Sequence, residues 1–83
     1  MRPVYADEAR EQLRKLPQSV QARIIKKVLF YASQPDPLSF AKPLSGYDAY
    51  RYRIGNYRVI FEVDSNTLYV LLIVKREDAY RDL

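Results

Sequence analysis

The 83-residue chain contains no cysteine and no histidine. Without cysteine, the chain can form neither a disulfide nor a thiolate nucleophile, which suits the reducing cytoplasm. Without either residue type, a transition-metal site would have to be built from carboxylates alone, and no cluster of Asp and Glu has suitable spacing. We therefore expect no metal ion and no other cofactor.

Long apolar runs are also missing. No segment approaches the roughly 20 apolar residues of a membrane span, and the N-terminus MRPVYADEA lacks the apolar core of a signal peptide. We predict a cytoplasmic protein with no membrane partner. The formal net charge of +4 favours an acidic partner only weakly, because acids and bases balance from Tyr47 onward.

The stretch after residue 50 begins with a predicted β-hairpin. Gly55-Asn56 separates two runs of aromatic and β-branched residues, which is a strong signal for a two-residue loop. The loop fixes the register, so that Arg53 lies opposite Arg58. Successive side chains alternate between the faces of a sheet. One face is a predicted core surface of Tyr50, Tyr52, Ile54, Tyr57, Val59, Phe61 and Val63, and the other, the arginine face, carries Arg51, Arg53 and Arg58.

A second hairpin follows around Asp64-Ser65-Asn66-Thr67. Whether this is a four-residue loop or a tight Ser-Asn turn, Val63 lies opposite Leu68. A continuous register would then place Arg58 opposite Ile73. Like charges directly opposite each other, as Arg53 and Arg58 would be, destabilise a sheet, so an anionic partner is expected to compensate. In this register the core face gains Leu68, Val70, Leu72 and Val74, and the arginine face gains Tyr69, Leu71, Ile73 and Lys75.

The first half of the chain predicts a short strand, two helices and a loop. Arg2 to Ala6 is consistent with an edge strand. A helix beginning at Asp7 has acids in its first turn and an apolar stripe, and Pro17 ends it because the residue before a proline avoids the α region. Gln18 to Ser33 predicts a second helix, and the proline-rich segment Gln34 to Gly46 predicts a loop. Three apolar residues are expected to pin that loop to the core: Leu38, Phe40 and Leu44.

The element order is therefore β-α-α-β-β-β. Residues 1–83 are expected to form a single α+β domain, with two N-terminal helices packed on one face of a small, mainly antiparallel four-stranded sheet. The strand Leu68 to Val74 is apolar at nearly every position, which predicts an interior place beside the N-terminal strand. On the second helix, Arg23, Lys26 and Lys27 lie off the apolar stripe. They form either a solvated face or a site for rRNA or an acidic partner.

Several segments resemble the RelE branch of the RelE/ParE superfamily of bacterial and archaeal toxins: LRKLP between the helices, KPLSG, YRYRIGNYRVIFEV and VKREDAY. The resemblance covers nearly the whole chain and implies a RelE-like, microbial-ribonuclease-like domain. It further implies the toxin of a type II toxin-antitoxin system, a ribosome-dependent, metal-independent mRNA endoribonuclease that inhibits translation. A cognate antitoxin would neutralise it, and operator DNA would be contacted only through that antitoxin.

The resemblance also implies roles for individual residues. Arg58, Arg76 and Tyr80 would be catalytic, and Arg51, Arg53 and Lys75 would bind the substrate. Many members of the family have histidine where this chain has Lys75, which removes a possible acid or base with a pKa near neutrality. Arginine stays charged and tyrosine titrates near pH 10, so this set suits the stabilisation of charge rather than proton transfer at neutral pH.

Other interpretations of these residues stay open at this stage. Arg51 and Arg53 could be the solvated side of an exposed strand, and Tyr80 could cap the core. Glu62 could be a base or the salt-bridge partner of a rim arginine, and Lys42 suits solubility or phosphate anchoring better than catalysis. At the level of function, the rivals are a ParE-like DNA gyrase inhibitor without nuclease activity and a degenerate toxin that only binds its antitoxin as a corepressor.

Overall fold

The computed structural model describes residues 1–78 and has the α+β architecture expected from the sequence. The five strands in these residues form one sheet of order β1-β5-β4-β3-β2, in which β1 runs parallel to β5 and the other neighbours are antiparallel. The elements are β1 (Arg2–Tyr5), α1 (Asp7–Arg14), α2 (Gln18–Ala32), β2 (Lys42–Pro43), β3 (Tyr50–Ile54), β4 (Tyr57–Asp64) and β5 (Thr67–Lys75), with 3-10 helices at Pro37–Phe40 and Arg76–Asp78. Within residues 1–78, no helix is long and apolar enough to cross a membrane.

One strand was not expected from the sequence. Lys42 and Pro43 pair with Arg51 and Tyr50 at the edge of the sheet, so the sheet has five strands rather than four. Two residues, one of them a proline, are too short to show the alternation by which a strand is recognised in a sequence. This short strand places Lys42 beside Arg51.

The main core lies between the two helices and one face of the sheet. Tyr52 and Phe61 are fully buried and stack with their ring centroids 4.3 Å apart, below Ile24 and Val28 of α2. The Tyr52 hydroxyl donates a hydrogen bond of 2.9 Å to the carbonyl of Pro37, which satisfies its polar end. The helices therefore cover one face of the sheet, as the apolar stripes predict.

The first hairpin has the predicted register, with Arg53 opposite Arg58 and Tyr52 opposite Val59. Of its two loop residues, only Gly55 has a positive φ, of 58°, which is the pattern of a type II′ turn. The second loop is the tight turn at Ser65-Asn66, since Asp64 pairs with Thr67. Val63 lies opposite Leu68 as expected.

Further along β5 the predicted register is wrong, because a β-bulge interrupts the pairing next to Ile60 and Phe61. Phe61 pairs with Val70 whereas Ile60 pairs with Leu72, so one extra residue of β5 lies between. Every later residue of β5 changes face. Leu72 packs with Ile60 on the arginine face, and Ile73 is buried in the main core.

Beyond the bulge, the neighbouring helix α1 contacts the backbone of β5. β1 pairs with β5 only as far as Val70, so the backbone of β5 beyond that point has no strand on that side. There the Gln12 side chain of α1 accepts a hydrogen bond of 2.6 Å from the Ile73 N–H. A side chain 61 positions away along the chain thus replaces the missing strand partner.

A second, smaller core covers part of the arginine face. Leu44, Ala49 and Ile60 are buried together, and Leu72 packs against them. Leu44 therefore pins its loop as predicted, and Leu38 packs against the main core. Phe40 behaves differently, because 45% of its surface remains exposed.

Candidate nucleic-acid interface

The arginines of the two hairpin strands converge on one groove. Its volume is about 170 Å³, and we call it the arginine groove. Arg51 and Arg53 reach it from β3 because residues two apart on a strand share a face. The short strand β2 adds Lys42, which the sequence pattern could not place there. The lining residues are Phe40, Lys42, Arg51, Arg53 and Arg58.

Arg58 is the most constrained of these residues. It lies on the central strand β4 with only 7% of its surface exposed. Its Nη1 donates hydrogen bonds of 3.0 Å to the carbonyl of Tyr57 and 3.3 Å to that of Gly55. The backbone at the β3–β4 turn thus orients the guanidinium.

The pairing of Arg53 with Arg58 concentrates positive charge. Ile54 and Tyr57 flank the two-residue loop, which makes the next pair, Arg53 and Arg58, a non-hydrogen-bonded pair with Cα atoms only about 4.5 Å apart. Both side chains end in a positively charged guanidinium group. Like charges directly opposite each other weaken a sheet, and this concentration of positive charge suits the binding of an anion.

Arg76 is placed close to this end of the sheet, whereas Lys75 is not on the predicted face. The backbone N–H of Arg76 donates a hydrogen bond of 2.8 Å to the carbonyl of Asn56, which ties the start of the last 3-10 helix to the β3–β4 turn. Lys75 pairs with Tyr57, which packs against the main core, so the bulge places Lys75 on the helix-covered face. The prediction that Lys75 joins the arginine face is therefore wrong. Tyr80 lies outside the described residues.

Acidic residues occupy the opposite end of the arginine face. Glu62 pairs with Tyr69 and lines a separate cavity of about 630 Å³ together with Asp48 and Asp64. The face is therefore divided into a basic end at the β3–β4 turn and an acidic end at the β4–β5 turn. Within residues 1–78, no group of three or more Asp and Glu residues could hold a metal ion.

The chemistry available in the arginine groove is the binding of anions. Arginine guanidinium groups can donate two parallel hydrogen bonds to a phosphate, and Lys42 adds a further charge. The half-exposed ring of Phe40 at the same groove offers a surface on which a base can stack. Cations beside an exposed aromatic ring are the combination with which proteins bind single-stranded nucleic acid.

Comparisons with known proteins show what the whole fold resembles. The family model described as the ParE toxin of the type II toxin-antitoxin system parDE matches residues 4–80. Among solved structures, the RelBE2 toxin-antitoxin complex from Mycobacterium tuberculosis matches with a TM-score of 0.81 and 27% identity, covering 93% of this chain and 92% of that one. No curated protein matches the chain at a significant level.

Two archaeal structures are similar in the same way. The RelB-RelE antitoxin-toxin complex from Methanococcus jannaschii matches with a TM-score of 0.71 and 26% identity, covering 96% of this chain and 98% of that one. The RelE-RelB complex from Pyrococcus horikoshii OT3 matches with a TM-score of 0.72 and 25% identity, covering 94% and 97%. The similarity thus extends over nearly the full length of each chain compared.

Proposed function

This chain belongs to the ParE toxin family of type II toxin-antitoxin systems, and from its similarity to the toxins of RelE-RelB complexes we propose that it is a ribosome-dependent mRNA endoribonuclease of the RelE kind. The observation that carries the proposal is the arginine groove, where Arg51, Arg53 and Arg58 line one cavity together with Lys42 and the exposed ring of Phe40. Inhibition of translation follows from cleavage of the message.

In the proposed reaction, the 2′-hydroxyl oxygen of a nucleotide attacks the adjacent phosphorus, and the bond from phosphorus to the 5′-oxygen of the next nucleotide breaks. The proton lost by the 2′-hydroxyl is balanced by the proton gained by the departing 5′-oxygen, so the products are a 2′,3′-cyclic phosphate and a 5′-hydroxyl. Arg58, held by two backbone carbonyls, and Arg76 stabilise the negative charge that develops on the phosphate oxygens, and Arg51 and Arg53 bind the strand. We assign Tyr80 to the catalytic set on the resemblance alone. Removing one hydrogen-bond donor that stabilises the developing charge typically lowers the rate on the order of 100-fold or more.

The need for the ribosome follows from what these side chains cannot do. Arginine is a poor proton acceptor, and the chain has no histidine to act near neutral pH. The attacking hydroxyl must also lie in line with the scissile bond, and bound mRNA in the ribosome would supply that alignment. We expect mRNA cleavage at mapped positions when the purified chain is added to translating ribosomes. Cleavage of naked RNA at a comparable rate would contradict this mechanism.

Mutation of the groove tests the site. The double variant Arg58→Ala and Arg76→Ala should abolish growth arrest on expression, because both stabilise the same phosphate charge. A matched control, Arg10→Ala with Lys15→Ala, removes two exposed charges from α1 and the residue that caps its C-terminus, and it should leave toxicity unchanged. Full toxicity of the Arg58 and Arg76 variant, at equal amounts of soluble protein, would remove this site assignment.

We propose that a cognate antitoxin binds this chain. Support comes from three similar structures, all of which are toxin-antitoxin complexes. An acidic amphipathic segment would complement the arginine groove, and any contact with operator DNA would be made through the antitoxin. The Arg58 and Arg76 double variant should still bind the antitoxin, since a helical segment contacts a larger surface than two guanidinium groups.

The second candidate function is inhibition of DNA gyrase without nuclease activity. The observation in its favour is that the matching family model describes the ParE toxin of parDE. In vitro translation with primer extension separates the two candidates. Cuts within codons require the nuclease, whereas normal translation with trapped gyrase cleavage complexes requires the gyrase inhibitor.

A further inference from the structure

A second cationic surface lies on α2, outside the arginine groove. A cavity of about 330 Å³, which we call the α2 cavity, is lined by Arg23, Lys26, Lys27 and Phe30. The helix Gln18–Ala32 contains no acidic residue, so its charges are not neutralised within the helix. Phe30 is 52% exposed, and its large apolar ring makes this more than a solvated charged face.

The α2 cavity and the arginine groove meet at a pair of aromatic rings. Phe30 lines the α2 cavity and Phe40 lines the groove, and their ring centroids lie 6.3 Å apart in an edge-to-face arrangement. Phe40 also stacks on Tyr31 at 4.9 Å, which holds its ring in place. Two half-exposed rings thus connect the two basic surfaces around the edge of the sheet.

The cations on α2 are positioned by their neighbours. The Lys27 ammonium lies 5.9 Å from the centroid of the Phe30 ring and 5.6 Å from that of Tyr31, within the range of cation–π attraction. The Arg23 guanidinium lies against the β3–β4 turn, where a Cβ atom added to Gly55 would be 2.9 Å from its Nη1. The α2 cavity therefore borders the same turn that orients Arg58.

We propose that the RNA strand held in the arginine groove continues around the edge of the sheet and binds the α2 cavity. One or two bases stack on Phe40 and Phe30, and Lys26 and Lys27 bind backbone phosphates. This inference rests on the proposed function, which supplies the RNA strand. An acidic peptide could also neutralise the lysines, but the two exposed rings aligned with the groove fit a chain of bases better.

The test compares short and long RNA. The probes are fluorescent oligonucleotides of three and twelve nucleotides with 2′-O-methyl groups, so that binding is measured without cleavage. Anisotropy titrations at several salt concentrations give the affinity and the slope of log K against log salt. The variant Lys26→Gln with Lys27→Gln is compared with the control Arg10→Gln with Lys15→Gln, which removes the same charge from α1 and its C-cap.

The expected result is a loss confined to the long probe. Each phosphate contact on a single strand contributes about 0.7 to the magnitude of the slope of log K against log salt. The slope of the Lys26 and Lys27 variant should therefore be smaller by about 1.4 with the twelve-mer and unchanged with the three-mer. Phe30→Leu should weaken twelve-mer binding roughly 5-fold to 150-fold by removing a stacked base. The Arg10 and Lys15 control should bind both probes like the unmodified chain.

Several outcomes would overturn the inference. The Lys26 and Lys27 variant could lose affinity equally for both probes, lose no more affinity than the Arg10 and Lys15 control, or lose none. It could also bind the antitoxin more weakly while its RNA binding is unchanged. Failure of the nuclease proposal looks different: ribosome-bound mRNA would stay intact with the unmodified chain while the length-dependent loss of RNA binding remained. Circular dichroism of each variant confirms that a lost contact, not unfolding, is being measured.

Discussion

The cross-strand pair of Arg53 and Arg58 should make the isolated protein less stable than it could be. Replacing Arg53 by glutamine keeps a polar side chain with the same three-carbon start, although a shorter one, and removes one of two charges that face each other directly. Because Arg58 is nearly buried and fixed by backbone carbonyls, it cannot move away from its neighbour. We therefore predict that Arg53→Gln raises the thermal stability of the protein while weakening RNA binding.

The size of this effect can be worked out from the structure. Cross-strand charge pairs change the free energy of unfolding by about 0.2–1 kcal/mol. An unfolding entropy of about 2.1 cal/mol/K per residue, over 83 residues, converts this range to a rise in Tm of about 1 to 6 °C. Arg53 is exposed, so solvent screening places the value nearer the lower limit.

Thermal unfolding followed by circular dichroism at two salt concentrations provides the assay. The gain in Tm should be present at about 0.01 M salt, where the Debye length is about 30 Å, and should vanish at about 1 M, where it is about 3 Å. Arg10→Gln on α1 lowers the net charge equally and should change Tm less. A fall in Tm for Arg53→Gln at low salt, or the same rise in the Arg10 control, would refute the reasoning.

Three further predictions concern the fold. Tyr52→Phe removes a buried hydroxyl and leaves its carbonyl partner unsatisfied, so urea denaturation should show a loss of about 1–3 kcal/mol. Burial raises the pKa of Tyr5 and of Tyr52 to about 12 from 10.0, so the neutral forms of both side chains favour the folded state. The stability that they contribute is complete below about pH 10 and should be lost as pH rises towards 12. In a double Phe variant, the free energy of unfolding should therefore fall less steeply over this pH range. Gly55→Ala and Gly46→Ala both place a side chain at positive φ, which costs about 1–2 kcal/mol of stability in each case. Only Gly55→Ala also displaces the Arg23 guanidinium, so only this variant should weaken binding of the twelve-mer RNA. Equal effects of the two variants on that binding would argue against the contact.

Local patterns in the sequence were sufficient for most of the architecture. The helices begin at Asp7 and Gln18, where an acidic first turn and a proline mark them. The register of the first hairpin follows from the Gly55-Asn56 loop, because a two-residue turn leaves only one way to pair its flanking strands. That Arg51, Arg53 and Arg58 share one face is a direct consequence. Their catalytic or binding roles remain predictions.

The positions that pattern alone could not place depend on contacts between distant segments. Nothing near Leu71 indicates a bulge, and the side chain that bonds to the shifted backbone, Gln12, lies on a helix far away in the sequence. Lys75 therefore changes face although its own strand looks regular. Likewise, Lys42 joins the groove only because a two-residue strand pairs with β3.

The sequence by itself determined the α+β class, the helix starts and the arginine pair across the first turn, because each depends on residues within a few positions of one another. Only the tertiary structure decided where β5 shifts register and how Phe30 and Phe40 join two basic surfaces at the sheet edge. The physical reason is that the hydrogen-bond partners of a strand's backbone, and the side chains around an aromatic ring, come from whichever segment packs against them. No local periodicity encodes that choice.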